Sequence, residues 1–168
     1  GDLIGESFDY YEYDSFGNQT FNGYGTKITM SGVRENSKIP KSHELANIVN
    51  ITIDGQEHVS RGLPIIFTET GLHMIDAKLL RHLYSSVSEI DSIESISSWI
   101  NSIRPIFKNA KVIVIKSELG NPIAVFQGDL VHWEVMDNLP RTIYIDIDGK
   151  ALYIHRATFD IIDLSLID

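Results

Sequence analysis

The stretch that decides the fold is Arg141-Thr-Ile-Tyr-Ile-Asp-Ile-Asp-Gly-Lys-Ala-Leu-Tyr-Ile-His-Arg156. Apolar and polar residues alternate on both sides of Asp148-Gly149, and Asp-Gly is favoured in two-residue type I′ turns because both central residues take a positive φ. A slip of one residue would set apolar residues against polar ones along the whole ladder, so the register is well specified. The stretch predicts a β-hairpin with these pairs: Ile147 with Lys150, Asp146 with Ala151, Ile145 with Leu152, Tyr144 with Tyr153, and Ile143 with Ile154.

The rest of the chain is also rich in strand-like segments. One amphipathic helix is predicted from Glu89 to Arg104, because apolar residues recur there at steps of three and four. A shorter helix is predicted over Ile75 to Tyr84. Strands are predicted at Phe8 to Asp14, Gln19 to Gly23, Thr26 to Met30 (closed by Ser31-Gly32), Asn47 to Ile53, Gln56 to Arg61, Pro64 to Phe67, Lys111 to Lys116, Pro122 to Gln127 and Leu130 to Met136.

These elements indicate an α+β domain that is predominantly antiparallel β-sheet, arranged in hairpins and meanders of about eight to ten strands. We expect the helix of about residues 89–104 to pack on this sheet through its isoleucine stripe. The chain of 168 residues fits a single domain, residues 1–168. The segment from Val33 to Leu45 is polar and contains Pro40, so a long exposed loop is expected there.

A second Ile-x-Ile-Asp-Gly segment, Ile51 to Gly55, repeats the phrase found at residues 145–149. A two-residue loop here would set Ile51 against His58, which is a poor match. A three-residue loop with a glycine bulge pairs Ile51 with Val59 and is therefore favoured. We attribute the repetition to reuse of a favourable turn, since Asp-Gly is common in short hairpins.

Charge and cysteine content exclude several classes of function. The net charge is −9, from 14 basic and 23 acidic residues, and no basic run is present. Nucleic-acid binding is therefore disfavoured, because it needs clustered Lys and Arg, and so is direct attraction to an anionic membrane. The absence of cysteine excludes disulfides, thiolate metal sites and a cysteine nucleophile within this chain. No Walker, Rossmann or hydrolase motif is present, so we expect no cofactor.

Two candidate site residues, His132 and Glu134, lie two apart on a predicted strand, so their side chains point to one face. Two ligands at this spacing could contribute to a metal site on a sheet. A structural metal site needs three or four convergent ligands, however, and an ordinary solvent-facing strand explains the alternation completely. We therefore expect these residues to form part of a surface, with no metal bound.

A third candidate residue is His155, which the hairpin register places opposite Thr142. Asp160 and Asp163 follow closely in the sequence, and a histidine with a carboxylate could form an acid–base pair. No nucleophile motif accompanies His155, so a structural histidine is the favoured interpretation.

An aromatic cluster occupies the first twenty-five residues and includes Tyr10, Tyr11 and Tyr13. Such a cluster could line a groove for a carbohydrate or a peptide, because aromatic side chains supply contact area at little entropic cost. Aromatic residues are also good strand formers, which gives a purely structural interpretation. The three tyrosines are nevertheless the best candidate for a binding surface in this chain.

The chain resembles a family of uncharacterised lipoproteins of Gram-positive bacteria, defined as a domain of unknown function. The resemblance implies an extracellular protein, anchored at the cell surface through a lipidated cysteine upstream of Gly1. It supplies no catalytic residues that could be carried over. The segments that carry it are Tyr13-Asp-Ser-Phe-Gly-Asn18, Ile51-Thr-Ile-Asp-Gly55, Val112 to Pro122, His132-Trp-Glu-Val135 and Ile147-Asp-Gly-Lys-Ala-Leu-Tyr-Ile-His-Arg156.

Missing catalytic motifs, acidic composition and the tyrosine-rich segment favour a non-catalytic binding module over an enzyme. Its partner would be an unidentified ligand or a component of the cell envelope. The alternatives are a hydrolase or metal-assisted enzyme that uses His132, Glu134 and His155, and a structural subunit that assembles through an exposed sheet edge.

Overall fold

The computed structural model describes residues 3–34, 45–77, 79–80, 93–137, 139 and 141–167. Within these residues lie the helix α1 (Ile93–Ser102), two short 3₁₀ helices (Arg104–Ile106 and Leu164–Leu166) and thirteen strands. The strands are β1 (Phe8–Tyr13), β2 (Gln19–Gly25), β3 (Ile28–Arg34), β4 (Leu45–Ile53), β5 (Gln56–Arg61), β6 (Ile65–Glu69), β7 (Ile75–Asp76), β8 (Lys111–Lys116), β9 (Pro122–Gly128), β10 (Val131–Val135), β11 (Thr142–Ile147), β12 (Lys150–His155) and β13 (Thr158–Asp163).

The strands form three sheets, and every strand pair is antiparallel. A six-stranded sheet has the order β10-β11-β12-β6-β1-β2, a four-stranded sheet has the order β13-β8-β9-β7, and a three-stranded sheet has the order β3-β4-β5. The prediction of a predominantly antiparallel β-rich domain is confirmed. The thirteen strands among the described residues exceed the eight to ten expected. Strand β7 has too few residues to show an alternating pattern, and β13 was not assigned as a strand.

Three clusters of buried side chains lie between the layers. The first combines residues of the six-stranded sheet, such as Phe67 and Tyr153, with Met30 and Ile51 of the three-stranded sheet. The second combines the six-stranded sheet with β8 and β9 of the four-stranded sheet. The six-stranded sheet is therefore apolar on both faces, which explains why β6 and β12 read as nearly continuous apolar runs. The third cluster contains Ile96, Trp99, Ile100 and Ile103 together with Val112, Val114 and Val125.

The hairpin of β11 and β12 has the predicted register. Ile147 pairs with Lys150, and the ladder continues to Thr142 opposite His155. Asp148 and Gly149 have φ angles of 50° and 87°, as a type I′ turn requires. The sequence pattern thus determined both the turn and the pairing of the two strands.

The predicted register of the β4–β5 hairpin is wrong. Asp54 and Gly55 form a two-residue turn with φ angles of 50° and 85°, so Ile51 pairs with His58. The imidazole of His58 lies 4.5 Å from the ring of Phe21, measured between centroids, and so behaves as one more aromatic ring. A histidine opposite a buried isoleucine is therefore compatible with the interior of the fold.

Two other predicted boundaries are corrected. Strand β3 does not end at Ser31-Gly32 but continues to Arg34, with a register irregularity between Gly32 and Arg34. Residues 35–44 of the predicted loop lie outside the described residues. The first two residues of the predicted helix from Ile75 instead form strand β7, which pairs with β9, whereas the described residues 77, 79 and 80 are helical as predicted. Residues 81–84 of that helix, and residues 89–92 of the main helix, also lie outside the described part.

The Ile-x-Ile-Asp-Gly repetition is more than a shared turn, because each copy belongs to a three-stranded meander. In the β3-β4-β5 meander, the Asp54 carboxylate accepts hydrogen bonds from the backbone N–H groups of Thr26 and Lys27, at 3.1 and 2.7 Å. The N–H group of Asp54 donates to the carbonyl of Lys27 at 2.9 Å. The aspartate of the turn therefore fixes the chain that enters the first strand.

The β10-β11-β12 meander repeats this arrangement. The Asp148 carboxylate accepts hydrogen bonds from the N–H groups of Asp129 and Leu130, at 3.2 and 2.8 Å, and the Asp148 N–H group donates to Leu130. A glycine precedes the entering chain in both copies, and a side chain on Gly128 would meet Ile147. Each glycine thus allows close contact between the entering chain and the turn.

Substitution Gly128→Ala should lower the free energy of unfolding by about 1–3 kcal/mol, the usual penalty for overpacking. The new Cβ would lie 2.6 Å from Cγ2 of Ile147, which is buried and cannot easily move. Urea denaturation of Gly128→Ala, Ile147→Ala and the double variant measures the effect. Because Ile147→Ala removes the clashing methyl group, the double variant should lose less free energy of unfolding than the two single variants lose together. Full additivity would contradict the proposed contact.

Candidate functional site

The strongest candidate site is a cavity of about 480 Å³ at the open end of the β11–β12 hairpin. Two arginines, Arg141 and Arg156, lie in its wall together with Glu118. Apolar side chains and two threonines complete the lining: Val135, Ile143, Ala157, Phe159, Thr142 and Thr158. The cavity therefore combines a charged region with an apolar wall, as binding sites for small ligands commonly do.

The hairpin register brings the two arginines together. Arg141 immediately precedes β11 and Arg156 immediately follows β12, and the N–H group of Arg156 donates to the carbonyl of Arg141 at 2.9 Å. Both residues have a φ angle of 57°, in the left-handed region that side chains with a Cβ disfavour by about 1–2 kcal/mol. Strained residues of this kind concentrate at functional sites, which directs attention to this end of the hairpin.

Both arginines of the cavity wall lie near one carboxylate. The Oε1 atom of Glu118 lies 3.8 Å from Nη1 of Arg141 and 3.9 Å from Nη1 of Arg156. Among the described residues of the wall, two guanidinium groups thus share the carboxylate of Glu118, in a protein of net charge −9. Burial and the neighbouring Arg141 lower the pKa of Arg156. The Arg156 side chain is 8% exposed, whereas that of Arg141 is 60% exposed and can reach a ligand.

His155 lies behind the arginines and is buried. Its Nδ1 atom is 2.8 Å from the hydroxyl of Thr142, which confirms the predicted position opposite that residue. Burial lowers the pKa of His155 to about 4, with further contributions from the charges of Arg156 and Arg141. The imidazole is therefore neutral near neutral pH, and it supports the strand end that carries the arginines.

The two aspartates considered as partners of His155 have other contacts. Asp160 forms an ion pair with Lys116 at 3.0 Å. Asp163 accepts a hydrogen bond from the N–H group of Ser165 and caps the last 3₁₀ helix, which lowers the pKa of its carboxyl. These contacts give both carboxylates a structural role.

His132 and Glu134 are exposed on β10, opposite Asp146 and Tyr144 of β11. The described residues contain no group of three or more His, Asp or Glu side chains placed to hold a metal ion. Glu134 lines a second cavity of about 300 Å³, on whose wall Tyr144 and Tyr153 also lie. The two predicted residues therefore belong to the surface around the edge of the six-stranded sheet.

The three predicted tyrosines lie mostly inside the protein. Tyr10 and Tyr13 are 2% and 1% exposed, and Tyr11 is half-buried. The Tyr10 hydroxyl lies 3.1 Å from Nδ1 of His58, whose Nε2 atom is 3.7 Å from Glu12. Burial, with the charges of nearby acidic groups, raises the pKa of all three tyrosines. The exposed aromatic rings of this region are instead Phe16, Phe21 and Tyr24.

Reasoning from the sequence missed Arg141, Arg156 and Glu118. The signal for the two arginines was present, because the predicted hairpin register, extended by one residue, places Arg141 opposite Arg156. Nothing in the local sequence connects Glu118 with them, since its position depends on how the four-stranded sheet meets the hairpin.

The fold and the site together define a β-rich domain with a cationic, partly apolar pocket. Comparison with known families shows that the chain belongs to a domain of unknown function, DUF5052, whose family model matches residues 1–167. No curated protein and no solved structure matches the chain. No helix among the described residues has the length and apolar character needed to cross a membrane.

The buried His155 should make the protein less stable as the pH falls from about 6.5 to about 4. In this range the unfolded chain binds a proton on His155 that the folded state excludes, so the free energy of unfolding decreases. The shift corresponds to at most about 3 kcal/mol. Urea denaturation at about pH 7 and about pH 4.5 measures the decrease, which His155→Asn should reduce. An equal decrease in the variant would show that His155 is not its source.

Proposed function

We propose that this domain is a non-catalytic binding module whose ligand carries a carboxylate or phosphate group held between Arg141 and Arg156. The observation that carries this proposal is a cavity of about 480 Å³ whose wall contains both guanidinium groups, with the side chain of Arg141 60% exposed. Guanidinium groups bind such anions through paired N–H donors, so two of them at one cavity give both affinity and orientation.

The position of Glu118 supports an anionic ligand. Its carboxylate lies 3.8–3.9 Å from the two guanidinium groups, beyond the 2.7–2.9 Å of a close charged hydrogen bond. Glu118 is half-exposed and therefore partly neutralises the arginines without holding them tightly. A ligand anion could approach the guanidinium groups more closely and displace this contact.

The apolar wall of the cavity determines which chemical group the ligand carries next to its anionic group. Ile143 and Phe159 also contact the buried cluster between the two larger sheets, so their side chains are fixed. Val135 lines the same cavity and is exposed at its rim. Burial of an apolar ligand group here would contribute roughly 25 cal/mol of binding free energy per Å² of apolar surface removed from water. The entropic costs of association are subtracted from this contribution. The expected ligand is thus an anion with an apolar group attached.

Binding without catalysis fits the chemistry of the site. Thr142 and His155 are 1% and 6% exposed, so their hydroxyl–imidazole pair is packed into the cavity wall and is largely shielded from solvent. The low pKa of His155 keeps it neutral and bonded to Thr142. Arginine side chains stay protonated at physiological pH and serve for binding anions, not for transferring protons.

The proposed location is the outer surface of a Gram-positive bacterium, with a lipid anchor attached upstream of this domain. The support for it is the resemblance to exported lipoproteins carried by segments such as His132-Trp-Glu-Val135 and Ile147 to Arg156. In that location the ligand would be a component of the cell envelope or a molecule captured outside the cell.

Isothermal titration with N-acetylvaline, phenyl phosphate and the neutral N-acetylvaline amide tests the proposed function. We expect the anions to bind and the amide to bind at least ~10-fold more weakly. Arg141→Gln should weaken anion binding by a similar factor, because it removes the exposed guanidinium group. Glu118→Gln should strengthen binding several-fold, since it removes a competing carboxylate.

The matched control is Lys27→Gln, which makes the same change in net charge on the exposed β2–β3 connection. It should leave the affinity for both anions unchanged. The proposal would be rejected if neither anion bound, or if Arg141→Gln and Lys27→Gln had equal effects.

A further inference from the structure

Strand β10 ends the six-stranded sheet, and no strand among the described residues pairs with its outer side. Its ladder with β11 shows which backbone groups face outward. The carbonyl of Leu130 accepts from Asp148, and the N–H group of Met136 donates to Thr142. Because hydrogen-bonded residues alternate along an antiparallel pair, the outward N–H and C=O groups belong to Val131, Trp133 and Val135.

In the part of the chain that the structure describes, this edge carries none of three features that commonly keep a sheet edge from pairing with another chain. Sheet edges are commonly interrupted by bulges, prolines or lysines. The opposite edge of the same sheet, β2, has a register shift against β1 between Glu12 and Tyr13. The pairing of β10 is regular from end to end, and its sequence contains no proline or lysine.

Large apolar side chains are exposed along the same edge. Trp133 and Val135 are 60% and 59% exposed, and Leu130, just before the strand, is 71% exposed. The alternation of β10 puts Trp133 and Val135 on one face, and Val135 is also part of the wall of the arginine cavity. An apolar strip therefore leads along β10 to the cavity, which begins at the last residue of the strand.

We propose that an extended peptide pairs with β10 as a parallel strand and places its C-terminal carboxylate in the cavity of Arg141 and Arg156. The inference rests on the proposed function, because it uses the same anion site and specifies the ligand. Strand addition of this kind gives affinity through backbone hydrogen bonds, and a pocket at the end of the strand gives specificity.

Charge complementarity fixes the direction of the peptide. Strand β10 runs toward the cavity, so a peptide parallel to it arrives there with its C terminus. An antiparallel peptide would bring its positively charged amino terminus to two guanidinium groups, which repel it. Ile143 and Phe159 of the cavity wall would receive the last side chain of the peptide, which should therefore be apolar.

The test uses the peptide acetyl-Thr-Val-Thr-Val-Thr-Val with a free C terminus, its C-terminal amide, and N-acetylvaline as the shortest equivalent. We expect the free-acid peptide to bind at least ~10-fold more tightly than both other probes. Arg141→Gln should remove the difference between acid and amide. In addition, hydrogen exchange of the Trp133 amide should slow in the presence of the peptide and not in the presence of N-acetylvaline.

A matched pair of variants isolates the backbone contact. Trp133→Pro removes an outward N–H group that the β10–β11 ladder does not use, so it should weaken peptide binding and leave N-acetylvaline binding intact. Trp133→Val loses the ring but keeps the N–H group, and should bind the peptide more tightly than Trp133→Pro.

Two results would overturn the inference while leaving the anion site in place. One is a peptide that binds no more tightly than N-acetylvaline. The other is a sedimentation experiment in which the protein alone is a dimer that Trp133→Pro dissociates, because a second copy would then occupy the edge. Absence of binding by both N-acetylvaline and the peptide would instead reject the proposed function itself.

Discussion

The structure depends on one constraint: the six-stranded sheet is apolar on both faces and must be covered twice. Its central strands β6 and β12 bury nearly every side chain, so neither face can be left in water. The three-stranded sheet covers one face and the four-stranded sheet covers the other. Buried side chains of α1 share one cluster with Val112, Val114 and Val125 of the four-stranded sheet. Polar chemistry is thereby displaced to the sheet edges and the ends of the strands, where both cavities lie.

Those parts of the fold that depend on neighbouring residues were predictable from the sequence. Asp148-Gly149 determines a turn, and the turn determines the register of β11 and β12. The same logic applied to Asp54-Gly55 would have succeeded, but the pairing of Ile51 with His58 was judged unfavourable. The predicted register was wrong because the aromatic rings that pack against His58 come from β1 and β2, which are distant in sequence.

The candidate site was less predictable, because it depends on contacts between sheets. His132 and Glu134 were predicted as site residues because of their residue types. Residue type alone does not predict whether a cavity forms beside a side chain. Arg141 and Arg156 were within reach of the hairpin register, whereas Glu118 comes from the turn between β8 and β9. A pattern within one strand identifies a face of that strand, but a pocket requires the relative position of two sheets.

The left-handed backbone of Arg141 and Arg156 affects how the domain can be engineered. At a φ angle of 57°, glycine or asparagine would give a more stable folded state than arginine does. The two arginines therefore lower the free energy of unfolding of the domain. A laboratory selection for thermostability alone should therefore tend to replace these two arginines, and the domain would lose its cationic pocket while becoming more robust. Variant libraries designed to raise the thermostability of this domain therefore need to be screened for ligand binding as well as for resistance to heat.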